Sequence, residues 1–256
     1  LIDMTTSIHP TACIAENVKI GDGVIIGPYA VIEPDVVLGD GCEIQAHAVI
    51  KRFVRMGSGN RVHSHVVLGD LPQDIAFSAE TVSYLSIGDN NVFREGFTAH
   101  RATVVEGATM IGSQCFFMNH SHVAHDCVIG DQTVFANNVA IGGFVEVGNN
   151  VFMGGAVVAH QFCRIGCFAI VRGTSGLSMD VLPFSTAGGA PAKHYRLNAV
   201  GLRRAGISGE RYKALTTAFR LLRAQQSIAD LDETPEISIL KAWLAIESKR
   251  GVHGFK

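Results

Sequence analysis

Aliphatic side chains recur at every sixth position along most of this chain. One run starts at Ile8 and steps through Ile14, Ile20, Ile26, Ile32, Leu38, Ile44, Ile50, Met56 and Val62 to Leu68. Small or β-branched residues follow four places later, at Ala12, Val18, Val24, Ala30, Val36, Cys42, Ala48 and Val54. Glycine often follows the aliphatic stop, as at Gly21, Gly27, Gly39, Gly57 and Gly69. A second run steps from Ile111 through Phe117, Val123, Ile129, Phe135, Ile141, Val147, Met153, Ala159, Ile165 and Val171 to Leu177. A period of six fits neither an amphipathic helix, with its period of 3.6, nor an alternating strand, with its period of 2. It fits a coil of very short strands with a turn after each. Three hexads close one triangular rung, and each rung stacks on the last at about 4.8 Å.

This pattern is that of the hexapeptide-repeat family, and the resemblance implies a left-handed parallel β-helix. That hand runs against the usual right-handed crossover rule and is taken from the family alone. Two stretches interrupt the repeat. Residues 70–86 lose the hexad, and residues 100–110 keep the count but read polar. Both are expected to be loops expelled from a coil wall, where functional residues concentrate.

After Pro183 the repeat stops. Residues 208–226 read as a helix with Ser208 at the N-cap and Glu210 in its first turn. Thr234 and Pro235 open a second helix as N-cap and N1, with Gly251 placed to close it. The expected organisation is therefore mainly β: a β-helix over residues 1–191, with loops 70–86 and 100–110, and a small C-terminal α-helical domain over 192–256.

Composition agrees with one large domain and a small appendix. The chain has 256 residues, 47% of them hydrophobic but only 7% aromatic, with 28 glycines, which suits a core of small aliphatics and many tight turns. The net charge of −2 is uneven: residues 192–256 carry +6 and residues 1–191 carry −8. A basic C-terminal piece could meet an acidic partner. Cys13, Cys42, Cys115, Cys127, Cys163 and Cys167 form no CxxC pair, so reduced cysteines in the cytosol are expected. No run is apolar and long enough to span a membrane, and no N-terminal signal is visible.

Histidines crowd one region: His100, His120, His122, His125 and His160. Residues eighteen apart share a corner on successive rungs, so His125, Gly143 and Gln161 form one column. A base then lies one rung from a glycine whose N–H is unshielded. Acyl transfer needs both, one to take the acceptor's proton and one to hold the oxyanion. Asp126 follows His125 directly and could orient the imidazole, although adjacent residues often point apart. His120-x4-His125 also matches the ligand spacing of hexapeptide-repeat carbonic anhydrases. Counting back two rungs from His120 reaches Tyr84 rather than a third ligand, so no metal is expected. No P-loop, dinucleotide fingerprint or nucleophile elbow is present.

Seven segments resemble, in order, the UDP-N-acetylglucosamine O-acyltransferases: PQD (Pro72–Asp74), AHR-x-T (Ala99–Thr103), SHVAHDC (Ser121–Cys127), HQF (His160–Phe162), GTSG (Gly173–Gly176), DVLPF (Asp180–Phe184) and LNAVGLRRAG (Leu197–Gly206). The resemblance runs over nearly the whole chain. It implies a cytoplasmic homotrimer that moves an (R)-3-hydroxyacyl group from acyl carrier protein to the 3-hydroxyl of UDP-N-acetylglucosamine, the first step of lipid A biosynthesis. It implies no cofactor and no nucleic-acid partner. By the same resemblance His125 is the general base and Gly143 the oxyanion donor. Asp74, His122 and Gln161 hold sugar and acyl carbonyl, with His160 a further polar group. Asn198 and Arg204 contact the uridine diphosphate. Gly173 matches the position that stops the acyl chain, and a glycine there leaves the groove open for a long one. The basic tail faces the acidic carrier protein.

Four positions depart from the family pattern. Phe144 stands where a histidine is usual, Ala76 replaces a common lysine, and Pro191 and Ala205 replace polar or basic residues. Three alternatives stay open. Some relatives acylate a 3-amino sugar. A sister enzyme of the same pathway N-acylates glucosamine, but it usually carries an N-terminal domain for which a repeat starting at Ile8 leaves no room. A scaffold that only trimerises would not need a histidine over a bare glycine.

Overall fold

The computed structural model describes residues 5–256. Over the repeat, nearly every strand is two residues long and pairs in parallel with a strand one rung away. The register step is 18, as in Ile25↔Glu43 and Ile26↔Ile44. Strands at one, two and three hexads fall into three sheets of 11, 9 and 8 strands, which form the walls of a triangular coil. The residues stepping by six point inward: Ile26, Ile32, Leu38, Ile44 and Ile50 are buried, whereas Ile25, one place earlier, is half exposed. Their partners Val24, Ala30, Val36, Cys42 and Ala48 fill the rest of the interior. At each corner a residue in the left-handed region turns the chain. Tyr29, His47 and His65 do this on one corner, and Asp126, Phe144 and Phe162 on another.

The two interruptions are loops, shorter than expected. The first runs from the end of Val67–Asp70 to the start of Tyr84–Ile87, and the second from Thr98–His100 to Ala108–Ile111. The register step grows to 31 across the first and to 24 across the second. Both leave the coil between its second and third walls on successive rungs, so they stack on one corner. The rungs beneath them are filled by aromatic side chains: Phe93, Phe97 and Phe117 lie within 5.3 Å of one another, ring centre to ring centre.

These longer steps correct the metal argument. Two rungs before His120, on the same corner, stands His65 rather than Tyr84, because Gly96 and His65 precede it there. Counting in eighteens fails across the loops. Among the described residues, no group of three or more His, Cys, Asp or Glu is placed to hold a metal ion.

The C-terminal part contains more than the repeat's end foretells. Ser185–Gly189 joins the first wall in parallel and turns back as an antiparallel hairpin with Ala192–Leu197. Three helices follow: α1 (Ala199–Arg204), α2 (Gly209–Arg223) and α3 (Pro235–Ala245). Helix α1 and the hairpin lie in a stretch with no repeat and no long periodic run. Ser208 caps α2 by position but makes no side-chain cap bond, whereas Thr234 accepts the Ile237 N–H. Gly251 does not close α3, which ends at Ala245. Its φ of +73° instead turns the tail back onto the coil, where Val252 and Phe255 bridge to Asp180 and His194. A second apolar core, including Phe184, Leu202, Leu215, Phe219 and Leu240, fills this end. The buried Arg164–Asp180 pair (2.8 Å), with Trp243 against the guanidinium, ties α3 to the last rungs.

Candidate active site

The turn after His122–Val123 carries His125 and Asp126 on the corner directly above the two loops. Asp126 adopts φ of 58°, which swings its carboxylate back towards its neighbour's ring. His125 Nδ1 lies 2.8 Å from Asp126 Oδ2. The carboxylate also accepts from the Thr103 N–H at 3.0 and 3.1 Å and from the Thr103 hydroxyl at 2.6 Å. An ionised carboxylate only accepts, so in the neutral imidazole the proton sits on Nδ1 and Nε2 carries the lone pair. Nε2 has no partner among the described residues.

His125 lies against Gly143, one rung on. A Cβ at Gly143 would fall 2.4 Å from His125 Cε1, so only glycine leaves room for the ring. The neighbouring Phe144 N–H donates to the His125 carbonyl, but the Gly143 N–H donates to nothing among the described residues. Phe144 packs edge-to-face on His125 at 5.5 Å and stacks on Phe162 at 5.0 Å, forming an apolar flank. His122 Nδ1 meets the Thr98 hydroxyl at 2.8 Å. Burial, reinforced by nearby His100, pushes its pKa down to about 4, so His122 is neutral at physiological pH.

An open cleft of about 480 Å³ unites Gln73, His122, His125, Gly143, His160 and Gln161. Five of the expected site residues therefore meet at one place. The cleft continues along the wall, past Val158 and His160, into a hollow of about 400 Å³ that ends at Gly176, Ala190 and Pro191. Its lining is mainly apolar.

The remaining expected residues lie elsewhere. Asp74 is exposed on the first loop, with Oδ1 accepting the Ala76 N–H at 2.9 Å, and it is its neighbour Gln73 that lines the cleft. Gly173 is exposed and lines neither hollow. Asn198 is buried: its side chain caps α1 through the Gly201 N–H and donates to the Phe168 carbonyl, so its amide holds structure. Arg204 is exposed in the last turn of α1. Sequence reasoning gave no role to Thr103, Thr98 or Gln73. The first lies within the AHR-x-T segment and the last within PQD, but nothing in the spacing shows what a loop residue touches.

The comparisons with known proteins meet this geometry. The family model for the bacterial transferase hexapeptide matches residues 2–34, 17–52 and 108–143, and that for UDP-N-acetylglucosamine O-acyltransferase, domain 2, matches residues 180–253. An acyl-[acyl-carrier-protein]–UDP-N-acetylglucosamine O-acyltransferase from Alkalilimnicola ehrlichii is 44% identical over 96% of this chain and 99% of its own. The chain belongs to the UDP-N-acetylglucosamine O-acyltransferase family. Solved members superpose closely. That from Moraxella catarrhalis has a TM-score of 0.90 at 38% identity, covering 96% of this chain and 98% of its own. That from Campylobacter jejuni has a TM-score of 0.91 at 33% identity, covering 98% and 100%. The coil is thus the left-handed β-helix of the family, as the resemblance implied.

Proposed function

We propose that the protein transfers an (R)-3-hydroxyacyl chain from acyl carrier protein to the 3-hydroxyl of UDP-N-acetylglucosamine, the first step of lipid A biosynthesis. The observation that carries the mechanism is the imidazole of His125, tied at Nδ1 by Asp126 and open at Nε2, lying against the bare N–H of Gly143. Nε2 takes the proton of the acceptor hydroxyl as its oxygen attacks the thioester carbon. The carbonyl oxygen becomes an oxyanion, and the Gly143 N–H stabilises it. When the tetrahedral intermediate collapses, the carbon–sulfur bond breaks and the imidazolium returns the proton to the leaving thiol. Neutral His122, with His160 and Gln161, offers hydrogen bonds to sugar and acyl carbonyl without a competing charge, and Asp74 approaches the sugar from the first loop. The chain's own residues suffice for this, with no metal or cofactor in any step.

Residues 1–191 supply the chemistry in this reading, and residues 192–256 supply docking. Arg204 contacts the diphosphate, with Asn198 setting the helix that carries it, and the basic surface receives the acidic carrier protein. The enzyme works as a cytoplasmic homotrimer with sites shared between copies. Among the described residues no helix is long and apolar enough to cross a membrane. The test is His125→Ala. Turnover should fall by about 10²–10⁴, the usual worth of a positioned general base, with the fold intact by circular dichroism. A folded variant with near-normal turnover removes His125 from the role.

A further inference from the structure

Arg101 is a buried cation. It is 4% exposed and makes no ion pair among the described residues. Burying a guanidinium is costly unless its donors are used. Here they are used on the first loop: Nη1 donates to the Thr81 carbonyl at 2.7 Å and Nη2 to the Ala79 carbonyl at 3.3 Å. Its Cζ lies over the ring of Phe53 on the coil and over that of Phe77 on the loop, 5.3 Å from each ring centre. Its own N–H donates to Asp70, where the first loop leaves the wall.

That loop is otherwise tied at its ends: Pro72 is buried, the Ser83 hydroxyl donates to the Ala102 carbonyl at 2.5 Å, and the Val82 carbonyl accepts the Glu106 N–H at 2.8 Å. Residues 73–76 are exposed, with Ile75 wholly so, and the backbone bonds of 71–81 within the loop are short-range, such as Phe77 to Asp74 and Thr81 to Ser78. Yet Gln73 lines the cleft beside His125. Two residues after Arg101, Thr103 holds the carboxylate that orients His125. One short segment of the second loop therefore grips the first loop with one side chain and the base's partner with another.

We propose that Arg101 is a positioning residue that fixes the loop carrying Gln73 and Asp74 against the catalytic corner, and so sets affinity for the sugar nucleotide. The inference rests on the reading of that loop as the sugar's contact. A lysine replaces the arginine only in part, because its compact ammonium lacks the planar fork that spans the two carbonyls.

The test compares Arg101→Met, Arg101→Lys and Phe77→Ala with Asp74→Ala, by steady-state kinetics and amide hydrogen exchange. With Arg101→Met, KM for UDP-N-acetylglucosamine should rise roughly tenfold while kcat and the donor's KM stay within about twofold. Exchange should quicken in 71–83 and not in the coil strands, and Arg101→Lys should recover only part of the loss. Phe77→Ala, which leaves the coil untouched, should do the same to a smaller extent. Added to Asp74→Ala, Arg101→Met should raise KM little further, because the two act through one loop. Unchanged loop exchange in Arg101→Met, or lost protection throughout the coil, overturns the proposal. If Asp74→Ala and Gln73→Ala leave KM unchanged, the sugar reading of the loop falls, and quickened exchange confined to 71–83 still supports the anchor.

Discussion

At the scale of residues, the site is a set of neighbours that hold one imidazole in one tautomer. Thr103 shows how far this reaches. Its hydroxyl is 2.6 Å from the Asp126 carboxylate, a charge-assisted bond that orients the group orienting His125. Thr103→Val keeps the shape and loses that donor. Turnover should fall by about tenfold, the worth of about 1.4 kcal/mol, with little change in KM, and initial rates at saturating substrate check it. The column of His125, Gly143 and Gln161 was legible from the spacing of eighteen because no loop interrupts those rungs. The same arithmetic misled at His120, where two loops intervene and His65 takes the place assigned to Tyr84. Asp126 was legible only as an adjacent carboxylate. Its partner Thr103 was not, since only the left-handed turn at Asp126 and the path of the second loop bring them together.

At the scale of elements, the repeat was readable throughout because each hexad states its own inward residue. The hairpin at 185–197 and helix α1 were not, since a few residues against a second core carry no period of their own. His194 joins these pieces. Fully buried, it accepts the Leu182 N–H at Nε2 and meets the His253 carbonyl at Nδ1, linking hairpin, coil end and tail. Burial, aided by nearby His253, pushes its pKa down to about 4 against the bond to the His253 carbonyl. An unfolded histidine takes its proton near pH 6.5 and this one only near 4. Its contribution is therefore complete above about pH 6.5 and is lost as pH falls towards about 4, amounting to about 3 kcal/mol. Burial shifts His100, His122 and His253 in the same direction. The melting temperature should accordingly drop between pH 6.5 and 4.5. His194→Gln, which keeps an acceptor and does not titrate, should flatten that drop, and an equal slope in both proteins would contradict the assignment.

At the scale of the whole molecule, one chain presents a wall rather than an enclosed pocket. Helix α1, with Arg204, lines neither part of the cleft that holds His125. In the proposed homotrimer with shared sites, α1 of another copy would supply the nucleotide contact. Mixing inactive His125→Ala chains with inactive Arg204→Ala chains, through unfolding and reassembly, should regenerate activity, and persistently inactive mixtures would contradict sharing. Gly173 belongs to the same argument. It is exposed and lies outside the hollow of its own chain, and in the proposed trimer it would meet the acyl chain along a neighbour. Gly173→Met should shift preference to shorter donors by roughly tenfold or more, since each excluded methylene forfeits about 0.8 kcal/mol of burial. A folded variant with an unchanged length profile would remove Gly173 as the ruler. The most direct measurement is mass spectrometry of the product formed by the purified protein from (R)-3-hydroxyacyl carrier protein, offered UDP-N-acetylglucosamine and its 3-amino analogue in parallel. The account predicts an ester at the 3-position of UDP-N-acetylglucosamine, at a rate insensitive to EDTA. Acylation of the amine alone, or of neither sugar, would contradict it.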